Sequence, residues 1–339
     1  MHESISPVLT ACKGCVLALF VALFSLSPAR AASEQPATYA VESSRASQSL
    51  LLGIASAGAR RVTVGERGHI LYSDDQGISW QQGRVPSRQL LTSVFFVDDQ
   101  RGWAVGHDAQ ILHSVDGGEN WSLQYSDPEL EAPLLDILFV DARRGFAVGA
   151  YGSLLRTRDG GAHWDSISDA LDNEDGFHLN AITRLTDGTL VIVGEMGVLF
   201  RSTDAGDSWE ALDSPYEGSL FGVLPTRETQ GLVMYGLRGH VFRSDDAGDS
   251  WQEIALQRAE GGRFEFGLAG GALLDDGSLV IVGHGGALLR SQDNGQSFQV
   301  TLREDRQSYA GVAAGDDGSL LLVGQSGVQV APAASPSRQ

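Results

Sequence analysis

A short hydrophobic run that ends in glycine recurs seven times and constrains the fold of this chain more than any other feature. Successive glycines lie 41 to 47 residues apart. They are Gly65, Gly106, Gly149, Gly194, Gly236, Gly283 and Gly324. A regular period of this length is typical of architectures that repeat one supersecondary unit.

Six of the seven runs are followed by a turn of the pattern Ser/Thr-x-Asp-x-Gly-x-x-Trp, with Phe replacing Trp in the sixth. The aspartate can accept backbone N–H bonds inside the turn, and the glycine can take a positive φ. The pattern lacks the full set of calcium ligands, so we expect these aspartates to be structural rather than metal-binding or catalytic. The aspartates of these aspartate turns are Asp75, Asp116, Asp159, Asp204, Asp246 and Asp293.

Each repeat contains short strand candidates separated by turn residues, and helical periodicity is missing. In the second repeat the candidates are residues 90–97, 103–106, 111–114 and 120–125. Four antiparallel strands per unit, repeated radially, describe a propeller blade. The sequence therefore predicts an all-β fold, a seven-bladed β-propeller.

The last repeat contains only three strand candidates. We expect the segment Thr38–Val41 to supply the fourth, outer strand of the last blade and so to close the ring. The first strand of each repeat also carries one small or polar position, as expected of strands that crowd around a central channel. These positions are Gly53, Ser93, Asp136, Asn180, Gly222, Gly267 and Gly311.

Residues 1–31 have the pattern of a secretory signal peptide, with Lys13 before an apolar run and a small-residue site at residues 29–31. An uncleaved anchor is the alternative, although the run is short for a membrane span. Cys12 and Cys15 are the two cysteines, so the mature protein would have no disulfide. We expect a monomer, periplasmic or secreted and not inserted in the membrane, with a propeller over 32–331 and a disordered tail over 332–339.

The formal net charge of −19 argues against nucleic acid as a partner and favours a basic partner surface. The chain contains no phosphate-binding loop, dinucleotide fingerprint, Ser-His-Asp motif or zinc spacing. We therefore expect neither a cofactor nor a bound metal.

The aspartate turn resembles the Asp-box, or bacterial neuraminidase repeat, of sialidases, sortilin-type receptors and the photosystem II stability/assembly factor family. Residues 101–121 and 144–164 are most similar to the last of these families. That resemblance implies an exported seven-bladed scaffold without catalysis. Its expected partner is a protein, in an envelope membrane complex whose assembly or function it would assist.

Two sets of residues are candidates for binding that partner. One set is an arc of arginines, each just before an aspartate turn. These arginines could hold carboxylates of a partner, or their stems could merely pack on the sheet. The other set lies in the glycine turns, which are the turns that follow the seven glycines. These residues could contact a partner, or they could simply be solvated. The candidates are Arg156, Arg201, Arg243 and Arg290 in the arc, and Glu66, His107, Glu195, Arg238 and His284 in the glycine turns.

A sialidase-like glycoside hydrolase or a glycan-binding lectin is the alternative function. Tyr309 and Glu265, with His178, precede the small channel positions, and a Tyr–Glu pair is the nucleophile of sialidases. The Arg-Ile-Pro motif of those enzymes is missing from the chain. We therefore expect a non-catalytic protein.

Overall fold

The chain forms seven antiparallel sheets in a ring, which confirms the predicted seven-bladed β-propeller. This computed structural model describes residues 38–258 and 261–332, all within one compact unit, Ala37–Gln339. The predicted signal peptide and residues 333–339 of the predicted tail lie outside the described residues. Among those described, no helix is long and apolar enough to cross a membrane.

Each blade is an up-and-down sheet whose first strand lines the centre. The strands of blades 1 to 3 are β1 Leu51–Ala57, β2 Arg60–Gly65, β3 Ile70–Ser73, β4 Gln81–Gln82; β5 Leu91–Phe96, β6 Gly102–Gly106, β7 Ile111–Ser114, β8 Ser122–Tyr125; β9 Leu134–Phe139, β10 Gly145–Gly149, β11 Leu154–Thr157 and β12 Asp165–Ser166. Those of blades 4 to 7 are β13 Leu179–Arg184, β14 Leu190–Gly194, β15 Leu199–Ser202, β16 Glu210–Ala211; β17 Leu220–Pro225, β18 Leu232–Gly236, β19 Val241–Ser244, β20 Gln252–Glu253; β21 Leu268–Leu273, β22 Leu279–Gly283, β23 Ala287–Ser291, β24 Gln299–Leu302; β25 Tyr309–Ala314, β26 Leu320–Gly324 and β27 Gly327–Ala331.

The helical elements of the described residues are single 3₁₀ turns. Most of them are glycine turns, in which the second residue is left-handed, as in Tyr151 and Met196 with φ of 55° and 53°. These turns are Glu66–Gly68, Ala150–Gly152, Glu195–Gly197, Leu237–Gly239 and His284–Gly286; the others are Ala46–Gln48, Pro128–Leu130 and Ser168–Ala170. Because strands alternate in direction, glycine turns lie on one face of the ring and aspartate turns on the other.

The hydrophobic core is divided among the interfaces between neighbouring blades. One apolar cluster fills each interface, for example Trp103, Val105 and Ile111 of blade 2 against Ile137 and Phe139 of blade 3. The aromatic residue that ends each aspartate turn packs into the interface with the preceding blade, as Trp164 does here. The repeated tryptophan is therefore a spacer between blades, which explains its place in the sequence pattern.

The predicted closure of the ring by an outer strand is wrong. The last sheet is three-stranded, β25–β26–β27. Ala40 instead donates its backbone N–H to the carbonyl of Val85 in blade 1, at 2.9 Å, and the Arg84 guanidinium lies over the Tyr39 ring. The ring closes through side chains, since Leu51 and Leu71 of blade 1 pack against Val323 of blade 7.

The first strand of every blade carries a bulge one residue after its start, and the register beyond the bulge shows that two of the predicted channel positions are wrong. Gly53, Ser93, Asp136, Gly222 and Gly311 occupy equivalent places opposite the second strand. In blade 4 that place belongs to Ala181 rather than Asn180, and in blade 6 to Gly270 rather than Gly267. A side chain at Gly270 would meet the Ala310 carbonyl at 2.0 Å, so this position requires glycine.

Candidate functional site

The six aspartate turns share one closed hydrogen-bond pattern. In the first, the Ser73 hydroxyl donates to Asp75 over 2.8 Å and accepts from the Gly77 N–H over 2.8 Å. The same carboxylate accepts the backbone N–H and the hydroxyl of Ser79, at 2.8 and 2.5 Å. The other five turns repeat this arrangement, with Asn120 and His163 replacing the serine donor in blades 2 and 3.

These hydrogen bonds stabilise the charged form of the aspartates. The Ser79 hydroxyl holds the pKa of Asp75 at about 2, and the Ser208 hydroxyl does the same for Asp204, at about 2. The His163 ring lowers the pKa of Asp159 to about 2. A carboxylate that is hydrogen-bonded within its turn and has so low a pKa is a poor general acid. This supports a structural role for the aspartates.

The arginines before the aspartate turns connect each blade to the turn of the next blade. Arg201 of blade 4 donates to the Ala247 carbonyl and to Asp249 in the turn of blade 5, at 3.2 and 2.7 Å. Arg156 donates to the carbonyl of Gly206, and Arg243 to that of Asn294, at 3.3 and 2.9 Å. The guanidinium groups therefore support the ring, and partner binding by these residues stays a prediction.

Other side chains make the same connection where the arginine is missing. In blade 1, where Tyr72 takes its place, Arg60 lies over the Tyr72 ring and donates to the Gly117 carbonyl of blade 2 over 3.2 Å. In blade 2, Gln124 donates to the Gly160 carbonyl over 3.1 Å. Arg290 of blade 6 faces a blade without an aspartate turn and binds Asp276 of its own blade instead, at 2.8 Å.

A cavity of about 600 Å³ opens on the aspartate-turn face between blades 3 and 4. Four arginines line it: Arg143, Arg144, Arg156 and Arg158. Two aspartates partly neutralise them, with Arg144 to Asp141 at 2.9 Å and Arg158 to Asp207 at 2.6 Å. The cavity therefore keeps a positive charge in a strongly acidic protein, and its size suits a ligand.

Of these four cavity arginines, the sequence pattern predicted only Arg156. The Arg143-Arg144 pair lies in the first turn of blade 3, and Arg158 lies inside an aspartate turn. Both turns are on the same face of the ring, because each follows an odd-numbered strand of its blade. The arginine pair and the turn topology together could have located the cavity.

The five candidates of the glycine turns lie on the opposite face. His107, Arg238 and His284 are exposed, whereas Glu66 and Glu195 are half-buried. Glu195 lies 3.9 Å from His178, whose Nδ1 accepts the Tyr151 backbone N–H over 2.9 Å. The structure thus places all five on one accessible face, and their contact with a partner stays a prediction.

The tyrosine of the sialidase-like alternative, Tyr309, is hydrogen-bonded to other residues. The Tyr309 hydroxyl donates to Asp305 over 2.8 Å and lies 2.9 Å from Arg303 Nε. Burial raises the pKa of Tyr309 to about 12, which opposes a nucleophilic phenolate. Glu265 is exposed in the loop before blade 6. In residues 38–258 and 261–332, no group of three or more His, Cys, Asp or Glu side chains could hold a metal ion.

The chain is similar to known proteins in both sequence and fold. A curated relative, the photosystem II assembly protein Ycf48 of Synechococcus sp. (strain JA-2-3B'a(2-13)), is 35% identical over 141 residues. That similarity spans 41% of this chain and 42% of the relative. A solved YCF48 bound to a D1 peptide has 21% identity and a TM-score of 0.67, covering 89% of this chain and 96% of that one. YCF48 from Cyanidioschyzon merolae has 18% identity and a TM-score of 0.65, covering 84% and 96%.

The seven sheets and their aspartate turns define the class of this protein, a seven-bladed β-propeller. The profile of the family described as photosynthesis system II assembly factor YCF48 matches residues 47–128 and 124–263. The chain belongs to this family, as the resemblance of residues 101–121 and 144–164 predicted. The solved structures support the fold alone at their level of identity.

Proposed function

We propose that this propeller is a non-catalytic, exported scaffold that binds a protein partner and assists the assembly or function of an envelope membrane complex. Membership of the YCF48 family supports the assembly role. The solved relative bound to a D1 peptide supports a peptide segment of a protein as the ligand. The signal-like pattern of residues 1–31 supports export to the periplasm.

The arginine-lined cavity is the site that best supports such binding. The charges of this cavity are unbalanced, and this imbalance favours an anionic ligand: four arginines line it, with only Asp141 and Asp207 as their anionic partners there. Arg143 is exposed and makes no ion pair within the described part of the chain. Guanidinium groups bind carboxylates in a bidentate way, so an acidic segment or a free carboxyl terminus of the partner fits this cavity.

Binding of acidic peptides to two single variants tests this site. Arg144 pairs with Asp141 in blade 3 just as Arg101 pairs with Asp98 in blade 2, each three residues apart along the chain. Arg144→Gln should weaken binding of an acidic peptide about tenfold, a loss typical of a charge-assisted hydrogen bond, whereas the matched control Arg101→Gln should not. Equal affinity of the two variants, or binding that does not fall with added salt, would refute the cavity as the site.

The location of the mature protein tests the export part of this proposal. A periplasmic fraction should contain a chain that begins near residue 32, as determined by N-terminal sequencing. A full-length protein retained in the cytoplasm would contradict export without affecting the binding experiment. The two parts of the proposal can therefore fail separately.

A further inference from the structure

The glycine-turn face of blades 2 to 4 combines exposed apolar side chains with an entirely acidic charge. Leu130, Tyr151 and Met196 are 43%, 65% and 55% exposed there. The segments that form this face, residues 107–110, 126–133, 150–153, 167–178, 195–198 and 212–219, contain eleven Asp or Glu residues and no Arg or Lys. The cavity arginines of the same blades all lie on the opposite face.

The exposed apolar side chains are held in place by the turns beneath them. The Tyr151 ring packs edge-on against His178 with centroids 5.1 Å apart, and the His178 carbonyl accepts the Glu195 N–H over 2.8 Å. Contacts thus run without interruption from the turn of blade 3 to that of blade 4, which carries Met196. The Asp127 N–H donates to the Asp108 carbonyl over 3.0 Å, which fixes the loop of Leu130.

Tyr151 and Met196 are exposed although their backbone conformation is unfavourable for a residue with a side chain. Both residues are left-handed, a conformation that costs a non-glycine residue roughly 1 kcal/mol. The equivalent residue of blade 6 is Gly285, with φ of 66°, so glycine is compatible with this turn. A large apolar side chain that is mostly exposed gains little from burial, and the strained backbone offsets that gain, so it adds little to the stability of its own blade.

We propose that this surface, Leu130, Tyr151 and Met196 with the surrounding carboxylates, docks a basic protein segment in which arginine or lysine alternates with apolar residues. Charge complementarity selects this occupant. Exposed carboxylates such as Glu129, Glu131, Glu174 and Glu217 would pair with the cations of that segment, while the three apolar side chains cover its apolar residues. The same charge repels anionic membranes and nucleic acid. The surface is independent of the arginine-lined cavity, so the protein would present two faces of opposite charge.

The test uses a synthetic peptide of about 14 residues that alternates arginine with leucine, and a second in which serine replaces leucine. Tyr151→Gly combined with Met196→Gly removes the apolar side chains and relieves the backbone. Ile78→Ala combined with Val115→Ala is the control, since these residues are 86% and 63% exposed on the opposite face. Affinity is measured by calorimetry at about 150 mM salt, and stability by thermal unfolding.

The arginine–leucine peptide should bind, and the double glycine variant should bind it about tenfold more weakly while remaining as stable as the parent. The control variant should bind like the parent, and the serine peptide should bind weakly to all three proteins. No binding of the arginine–leucine peptide, equal loss in the control, or an unchanged affinity of the glycine variant would overturn the proposal. Replacing Glu129, Glu131 and Glu174 by Gln should also weaken binding, and unchanged binding would again count against it.

Discussion

The Nε of Arg61 donates to the carbonyl of Ala314 over 2.9 Å and so joins the first blade to the last. The same guanidinium donates to the carbonyls of Gly58 and Ala59, at 3.1 and 2.9 Å, and pairs with Asp316 at 3.3 Å. Asp316 in turn donates its backbone N–H to Gln76 of blade 1 over 3.2 Å. A buried arginine therefore does at the ring junction what an outer strand was predicted to do.

Removal of this arginine should open the ring junction. Arg61 is only 6% exposed, so Arg61→Ala removes a buried side chain together with its hydrogen bonds to three backbone carbonyls. This loss should lower the free energy of unfolding by about 3 kcal/mol. Arg158→Ala is the control, since that side chain is 60% exposed in its pair with Asp207, and it should cost less than about 1 kcal/mol. Urea unfolding measures both, and an equal loss in the two variants would contradict the junction role.

The start of the chain gives a second prediction about closure. Compared with a protein that begins at Thr38, one that begins at Glu42 loses the Ala40–Val85 hydrogen bond and the Tyr39–Arg84 contact, about 1 to 2 kcal/mol. A protein that begins at Ser49 also loses Ala46, which is buried at the junction of blades 1 and 7, and should unfold more easily still. If the two truncations lowered the melting temperature equally, the contribution of Ala46 to the junction would be contradicted.

The fold could be predicted from the sequence because each repeat encodes local physical requirements. Each aspartate turn needs its glycine and its hydroxyl–carboxylate pair within a few residues of each other along the chain. Because every blade but the last repeats the turn, these residues recur at a regular spacing. The closure could not be predicted, since Tyr39 packs on Arg84 through a contact between distant segments. The predicted channel positions were wrong in blades 4 and 6, where Asn180 and Gly267 lie one and three residues before the place opposite the second strand. Small or polar residues occur next to that place as well as in it, so residue type alone could not fix the register.

The candidate site could be predicted only in part. The four arginines of the arc could be recognised from their spacing. Their burial depends on which groups of the neighbouring blade pack against them, and the spacing does not show this. Arg243, with 6% exposure, therefore has the same pattern as the more exposed Arg290. The acidic glycine-turn face became visible only when six separate segments were brought together by the topology.

Acid should weaken the fold through the aspartate turns. The pKa values of Asp75, Asp159 and Asp204 are lowered from 3.8 to about 2 in the folded protein. A depressed folded pKa contributes stability above the unfolded pKa that is lost as the pH falls. The melting temperature should therefore decrease between about pH 4 and pH 2, and replacing all three residues by Asn should flatten that decrease. A triple variant with the same pH profile as the parent would show that other groups control acid unfolding.

Charge reversal separates the supporting arginines from the exposed ones. Arg243 donates to Glu228, at 2.7 Å, and to the Asn294 carbonyl of the next blade, so Arg243→Glu would bury a carboxylate beside acceptors. It should lower the free energy of unfolding by about 3 to 5 kcal/mol, as expected for a broken buried ion pair. Arg143→Glu reverses an exposed charge and should change stability by less than about 0.5 kcal/mol while weakening the binding of an acidic peptide. Thermal unfolding and peptide affinity are measured on both variants; a stable Arg243→Glu protein that has lost peptide binding would restore the arginine arc as a docking surface.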